Sequence, residues 1–399
     1  LIYLIGRYLT DSPNIGLLAS LTVIIANYHI FMAWGSIPNA LAVTFIPIII
    51  YLLLFLRSRC SLYATILTII LIIVIIMTHT ISALATLIFL YLIWFGSAIY
   101  TYFFPGEKDY FSLLVPAGFS TILFAWWTYA SNSILTLTHL IKMGFSMIDI
   151  FNKAPPEFRD YVLSVPLSEQ IFNHLGMFLF FGLSIIGVLY MISERGNKFT
   201  FVMALIGITP LAISFPSMLT GHSILDQRWW FVAQIFLSIS LAIGLLTLST
   251  WKLKKDTYVA SFILFSIVII SFTNIMSPAA QMDNDMFTPN INMRITPIES
   301  ELSAITILNR YDGTCKTDSY FENRVYGTLG YNTEPFCYEI VSRNIPGLKN
   351  YLVLVRSEIL SKTFILFSSS YKLDINLRSE LDRADFSQIY DSGSIYAYF

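Results

Sequence analysis

The chain has 399 residues, 56% of them hydrophobic and only 12% charged, with a mean hydropathy of +0.67. No water-soluble core buries that much apolar surface, so the composition is that of a multi-span membrane protein. A net charge of −1 without a basic stripe excludes an electrostatic nucleic-acid binder, and three cysteines are too few for a disulfide scaffold.

Apolar stretches of about 17 to 25 residues are long enough to cross a bilayer as helices. The chain opens on an apolar stub, Leu1 to Leu9, which begins without an initiator Met and leads us to expect further sequence upstream. Full spans are expected at Asn14 to Phe31, Ala40 to Leu56, Ser61 to Met77, Ser82 to Phe104 and Phe111 to Ala130. After a long loop come His174 to Ile192, Phe199 to Leu219, Trp229 to Thr250 and Tyr258 to Ile275. The expected fold is thus mostly α, a polytopic transmembrane helix bundle of about nine full spans plus a partial one. It occupies residues 1–276, with an external loop at 131–173.

Alternation of the spans sorts the loops into two sets. One carries Arg7, Arg57, Arg59, Lys108, Arg195, Lys198, Lys252, Lys254 and Lys255. The other carries Lys142, Lys153 and Arg159 in one long loop, plus Arg228. Lys and Arg accumulate on the cytoplasmic side, so the first set is inside and everything after Ile275 is outside. His29, His79, His139, His174 and His222, all the histidines of the chain, then fall at or near the external face. Either His simply tolerates an interface, or this is a polar working face. No pair has HxxxH or HExxH spacing, which argues against a zinc site.

In the long loop, "TLTHLIKMGFSMIDIF" repeats Leu137, Ile141, Phe145 and Ile148 at helical spacing with His139, Lys142 and Asp149 between them. An amphipathic helix lying on the outer leaflet fits this pattern, and it would either pack as a lid or frame a lateral opening. Pro155 and Pro156 end it. Further along, "GHSILDQRWWFVAQ" places Arg228 at headgroup depth with Trp229 and Trp230 in the aromatic belt. Arg228 either snorkels to the interface or grips a lipid phosphate, for which its planar fork is suited. Asp226 would orient it and His222 would add a hydrogen bond.

From Ser277 onward the composition changes: 11 of the 24 Lys and Arg and 15 of the 25 Asp and Glu lie in the last 123 residues. Residues 277–399 therefore read as an extracytoplasmic soluble domain, small and α/β. "TPIESELSAITILNRY" reads as a helix, "YLVLV" and "TFILF" as buried strands and "SIYAYF" as a terminal strand. Asp312 and Asp318 in "YDGTCKTDS" read as turn residues rather than metal ligands. Cys315 and Cys337 are either a disulfide or two buried thiols.

The order of these features resembles the GT-C superfold of membrane glycosyltransferases, in particular archaeal and bacterial enzymes related to dolichyl-phosphate-mannose protein mannosyltransferases. "LIYLIGRYLTDSPNIGLLASLTVIIANYHIFMAWGSIPNALAVTFIPIIIYLLLFL" resembles the early core helices of that family, and "THTISALATLIFLYLIW" the next pair, whose external turn often shows a His, here His79. "LDQRWWFVAQIFLSISLAIGL" is similar to a late helix entered by an Arg, and "ESELSAITILNRYDGTCKTDS" and "IYDSGSIYAYF" to the external domain of many archaeal members. The resemblance covers most of the chain by pattern, without one diagnostic motif.

It implies a hexosyltransferase of an integral cell membrane, moving a sugar from a polyprenyl (dolichyl) phosphate donor to a protein, lipid or glycan acceptor at the external face. Arg228 and His222 would bind the lipid phosphate, with Asp226 and His79 in support. The family's catalytic acid stands in the first external loop, which by this alignment lies before Leu1. Asp149, Glu157, Asp160, Glu169 and Asp226 are the remaining external acids of 1–276, and no motif assigns one of them the role. No cofactor is demanded; a divalent metal, Mg or Mn, is admitted by the acidic loop of the family. Three other classes stand beside this reading: a polysaccharide polymerase or ligase, a transporter of lipid-linked sugar, and a non-catalytic membrane scaffold.

Overall fold

The structure, a computed structural model, describes residues 1–34, 38–53, 62–104, 111–135, 138, 162–163, 167–220, 226–252, 256–277, 280, 293–294, 297–305, 311–322, 330–362, 364–366, 369–373 and 375–399. It is mostly helical and falls into two compact units, 1–146 with 174–280 and 147–173 with 281–399.

The helices of the first unit are α1 (Ile2–Thr10), α2 (Pro13–Ile24), α3 (Asn27–Trp34), α4 (Pro38–Tyr51), α5 (Leu62–Thr78), α6 (Thr80–Phe103) and α7 (Leu114–Tyr129), then α8 (Leu167–Ile192, in this unit from His174 onward), α9 (Lys198–Thr220), α10 (Asp226–Lys252) and α11 (Asp256–Ile275). Five carry segments long and apolar enough to cross a membrane: 80–103, 171–192, 198–215, 228–250 and 256–275. These five match the spans expected from Ser82, His174, Phe199, Trp229 and Tyr258. Among the described residues the other expected spans coincide with shorter apolar helices, among them Pro13–Ile24, Ala40–Tyr51 and Leu62–Thr78, so five of the nine are matched at full length. At 1.5 Å per residue, the 12 residues of α2 rise only about 18 Å against a hydrocarbon core of about 30 Å. The outward faces are apolar: Ile66, Ile69, Ile70 and Ile73 on α5, and Leu264, Phe265, Val268 and Phe272 on α11, are exposed. Apolar flanks of this kind belong against lipid.

The expected span Asn14 to Phe31 breaks after α2 at Ile25 and Ala26. Such a break orphans backbone N–H groups at the start of the next helix. Side chains satisfy one of them: the Tyr28 N–H donates to Asn27 Oδ1 at 3.0 Å and to Gln234 Oε1 of α10 at 3.1 Å. The break is therefore specified by two amides, one local and one 206 residues away.

Helix α10 is the axis of this unit, packed against α1, α2, α3, α9 and α11. It meets α8 at closest approach, where a methyl group on Gly187 would collide with the Ser240 backbone and one on Gly244 would come within 2.6 Å of the Leu183 carbonyl oxygen. Small residues let two membrane helices approach to backbone contact. The central position of α10 also corrects the aromatic belt. Trp229 and Trp230 are buried at 5% and 6% exposure, and Trp230 lies against Tyr28 with ring centroids 5.2 Å apart.

The second unit is α/β. Its strands are β1 (Val162–Leu163), β2 (Cys315–Thr317), β3 (Thr333–Pro335), β4 (Leu352–Arg356), β5 (Phe364–Leu366), β6 (Ser369–Leu373), β7 (Gln388–Asp391) and β8 (Ile395–Tyr398), with short helices α12 (Glu299–Leu302), α13 (Cys337–Val341) and α14 (Leu377–Arg383). One sheet has the order β3-β2-β4-β8-β7, with β2 parallel to β3 and β4 and the remaining pairs antiparallel. The other is β1-β6-β5, in which Val162 pairs with Leu373. Part of the long loop thus belongs to this unit and supplies it with an edge strand. The expected interfacial helix at 136–151 lies, apart from Thr138, outside the described residues.

Alternation along β4 sends Leu352 and Leu354 into one apolar cluster and Val353 and Val355 into another, and β8 does the same with Ile395 and Ala397 against Tyr396 and Tyr398. The five-stranded sheet is therefore buried on both faces. Cys315 belongs to the first cluster and Cys337 to the second, so the sheet separates them. The candidate disulfide is not formed, and both are buried free thiols.

Within "YDGTCKTDS", Cys315 to Thr317 form β2, and Asp318 has two roles: its Oδ1 accepts from the Tyr320 and Phe321 N–H groups, as a turn residue does, and it is a partner in a buried ion pair. Its carboxylate accepts from Arg356 Nε at 2.8 Å and Nη2 at 2.7 Å, with both side chains at or below 1% exposure. Arg294 bridges Glu301 and Glu358, and Lys362 Nζ reaches Glu358 at 3.1 Å. Three cations meet three carboxylates where β2 and β4 end, and the network is neutral.

Candidate functional site

Polar residues gather at one end of the helical unit, where α6 and α10 begin and α11 ends. His79 occupies the single-residue break between α5 and α6, outside both helices, and caps α6: its Nδ1 accepts from the Ser82 N–H at 3.2 Å. An imidazole whose Nδ1 accepts carries its proton on Nε2, which leaves an N–H donor on the far side of the ring. Burial first, and the positive charge of Arg228 second, pull the His79 pKa down to about 4, so the ring is neutral at neutral pH. Arg228, half-buried, stands in the first turn of α10. Two of the four expected site residues thus stand within electrostatic range of each other. His222 lies outside the described residues, and Asp226 is described only as the first residue of α10.

Below Arg228, six residues or about 9 Å along the axis of α10, lies a buried amide network with no counterpart in the expected site. Gln234 Nε2 donates to Asn27 Oδ1 at 2.6 Å, Asn27 Nδ2 donates to Ser277 Oγ at 3.2 Å, and Ser277 Oγ donates to the Asn274 carbonyl at 2.7 Å. All four residues are at most 3% exposed. Asn274 is the exception in its bonding: neither side-chain Oδ1 nor Nδ2 has a partner among the described residues. Against it packs Gly176 of α8, where a Cβ would stand 2.6 Å from Asn274 Oδ1.

The network was findable in principle. Asn27 and Asn274 interrupt runs that are otherwise apolar, and a polar side chain inside a membrane helix marks function by default. What the sequence does not show is that residues 27, 234 and 277 meet.

His29 and His174 stand close by, His29 against Phe231 with centroids 6.0 Å apart and His174 on α8 two residues before Gly176. All three described histidines thus lie at this end of the unit. Among the described residues no group of three His, Cys, Asp or Glu side chains is placed to hold a metal ion. Asp149, Glu157 and Asp160 lie outside the described residues.

Compared with protein-family models, with curated proteins and with solved structures, the chain has no match.

Proposed function

We propose that the protein is a membrane hexosyltransferase of the GT-C type, which takes a sugar from a polyprenyl (dolichyl) phosphate donor at the external face and passes it to a protein, lipid or glycan acceptor. The observation that carries the reading is that Arg228 stands within electrostatic range of the neutral, Nε2-protonated His79 at the histidine-bearing end of an apolar helix bundle. The excess of Lys and Arg in the loops of the other end supports an external position for this one.

A lipid-phosphate donor is confined to headgroup depth, and its phosphate needs donors there. The guanidinium offers a planar fork for two phosphate oxygens, and His79 offers one further N–H. When the glycosidic bond to phosphate breaks, negative charge grows on the departing oxygen, and fixed donors in a water-poor site stabilise that charge more than they stabilise the bound donor. The polyprenyl tail has the apolar flanks of the helices to lie against. The acceptor hydroxyl must lose a proton, and no described residue is assigned to take it.

The test uses the full chain in nanodiscs with a radiolabelled polyprenyl-phosphate hexose. Arg228→Ala should lower kcat/KM by about 10²-fold, the scale of losing one transition-state donor, and Arg228→Lys should recover part of it. Equal turnover by Arg228→Ala would remove Arg228 from the site. Absence of transfer from any such donor by the unaltered protein would remove the whole reading and favour the scaffold.

A further inference from the structure

At the opposite end of the helical unit a cavity of about 910 Å³ opens between the α1–α2 turn, the α8–α9 turn and the last turns of α10. It lies on the cation-rich side, the full length of α10 away from Arg228, and the proposed transfer has no use for it. Two residues of opposite charge line it. Asp11 closes α1 in a left-handed conformation, φ 51°, and Arg195 stands in the α8–α9 turn. Neither charged group has a hydrogen bond or ion pair among the described residues. Thr250 also lines the cavity; its hydroxyl donates to the Leu246 carbonyl at 2.8 Å, which leaves its oxygen lone pairs available as acceptors. Ile243 and Leu246 of α10 make the wall apolar toward the interior of the unit.

A single unpaired charge selects an ion of the other sign. Two unpaired charges of opposite sign lining one cavity select a zwitterion, and an apolar inner wall selects a ligand with a hydrocarbon part. The volume is that of a small-molecule site, enough for a headgroup and the first methylenes of its chains but not for a whole lipid. We propose that this cavity binds one aminophospholipid of the adjacent leaflet. Its phosphate sits on Arg195, its ammonium on Asp11 and the Thr250 oxygen, and its glycerol and proximal chains lie along Ile243 and Leu246.

The probe is dihexanoyl phosphatidylethanolamine titrated onto the purified full chain in detergent, with binding read by native mass spectrometry. Dihexanoyl phosphatidylcholine, whose headgroup has no N–H donors, should bind about tenfold more weakly. Arg195→Gln should weaken both lipids by about tenfold, and Asp11→Asn should abolish the preference between them. Ile243→Trp, which fills the cavity, should remove binding of either. Asp11 and Arg195 are exposed, so unchanged thermal unfolding of their variants shows that folding is not the cause. Equal affinities across the unaltered chain, Arg195→Gln and Asp11→Asn overturn the proposal. Soluble phosphoethanolamine binding as tightly as the lipid overturns the lipid as its source. Neither result bears on Arg228, because sugar transfer is not part of the measurement.

Discussion

The two units bury polar groups in opposite ways. In the helical unit, buried hydroxyls and amides are lent to backbone carbonyls or to each other: Thr22 donates to the Ser238 carbonyl at 3.2 Å, Ser184 to that of Leu237 at 3.2 Å, and Gln234 and Asn27 bond side chain to side chain. In the α/β unit, buried groups carry full charges and are held in ion pairs, Arg356 with Asp318 and Arg294 with Glu301 and Glu358. A charge among lipid-facing helices has no water nearby to offset its desolvation, whereas a small domain can place three cations and three carboxylates within reach of one another. The helical unit accordingly depends on how closely backbones approach, and the α/β unit on charges that stay paired.

The sharpest way to break that contrast is to fill a helix crossing. Gly187→Leu should abolish monodisperse protein on size exclusion after detergent extraction, since its side chain has the Ser240 backbone in its path. Gly182→Leu, with open space around it on the same helix, should elute normally. Next in size is Arg356→Met, which leaves Asp318 buried and alone. It should destabilise the α/β unit by about 3–5 kcal/mol in denaturant unfolding, while Arg356→Met with Asp318→Leu should recover a large part of this. Smaller again is Asn274→Leu: replacing an amide without partners should be neutral or raise stability by up to about 1–3 kcal/mol. If the same change slows sugar transfer, Asn274 is kept for function at a cost in stability.

Acid should act on the α/β unit with a defined sign. Burial raises the Glu358 pKa, but the Arg294 backbone and side chain and Lys362 outweigh it and hold the carboxyl below its ordinary 4.5. Its contribution is present above that value and is lost as pH falls through the lowered one. Glu301, raised chiefly by burial, works in the other direction. Glu358→Gln should therefore flatten the acid limb of a stability-against-pH curve. The smallest effect is chemical: burial pushes the Cys315 and Cys337 thiols up to about 12, so alkylation at pH 8 should be slow in the folded protein and fast in denaturant, with no mobility change on reduction.

What the sequence made legible follows from how local each signal is. The long apolar runs behind α6, α8, α9, α10 and α11 are self-sufficient, and so are the alternating runs that became β4, β5 and β8. Of the site, Arg228 and His79 were visible because each stands at a helix start among apolar residues. The helix read through "SELSAITILNRY" is described only as a four-residue turn at Glu299–Leu302. Pairings across long separations were not visible: Asp318 reads as the turn residue it is, and nothing local shows that Arg356, 38 residues on, closes on it. Trp229 and Trp230 looked interfacial because hydropathy does not report which helix is central.

The break between α2 and α3 has a consequence in time. The Tyr28 N–H is held by a side chain that the ribosome delivers 206 residues later, roughly 10 to 40 s at bacterial or eukaryotic rates of about 5–20 residues per second. Until Gln234 is made, the adjacent Asn27 Oδ1 is the side-chain acceptor this N–H has, and the second amide completes the arrangement only later. The bend begins with a local amide and is locked by a helix that arrives last but one.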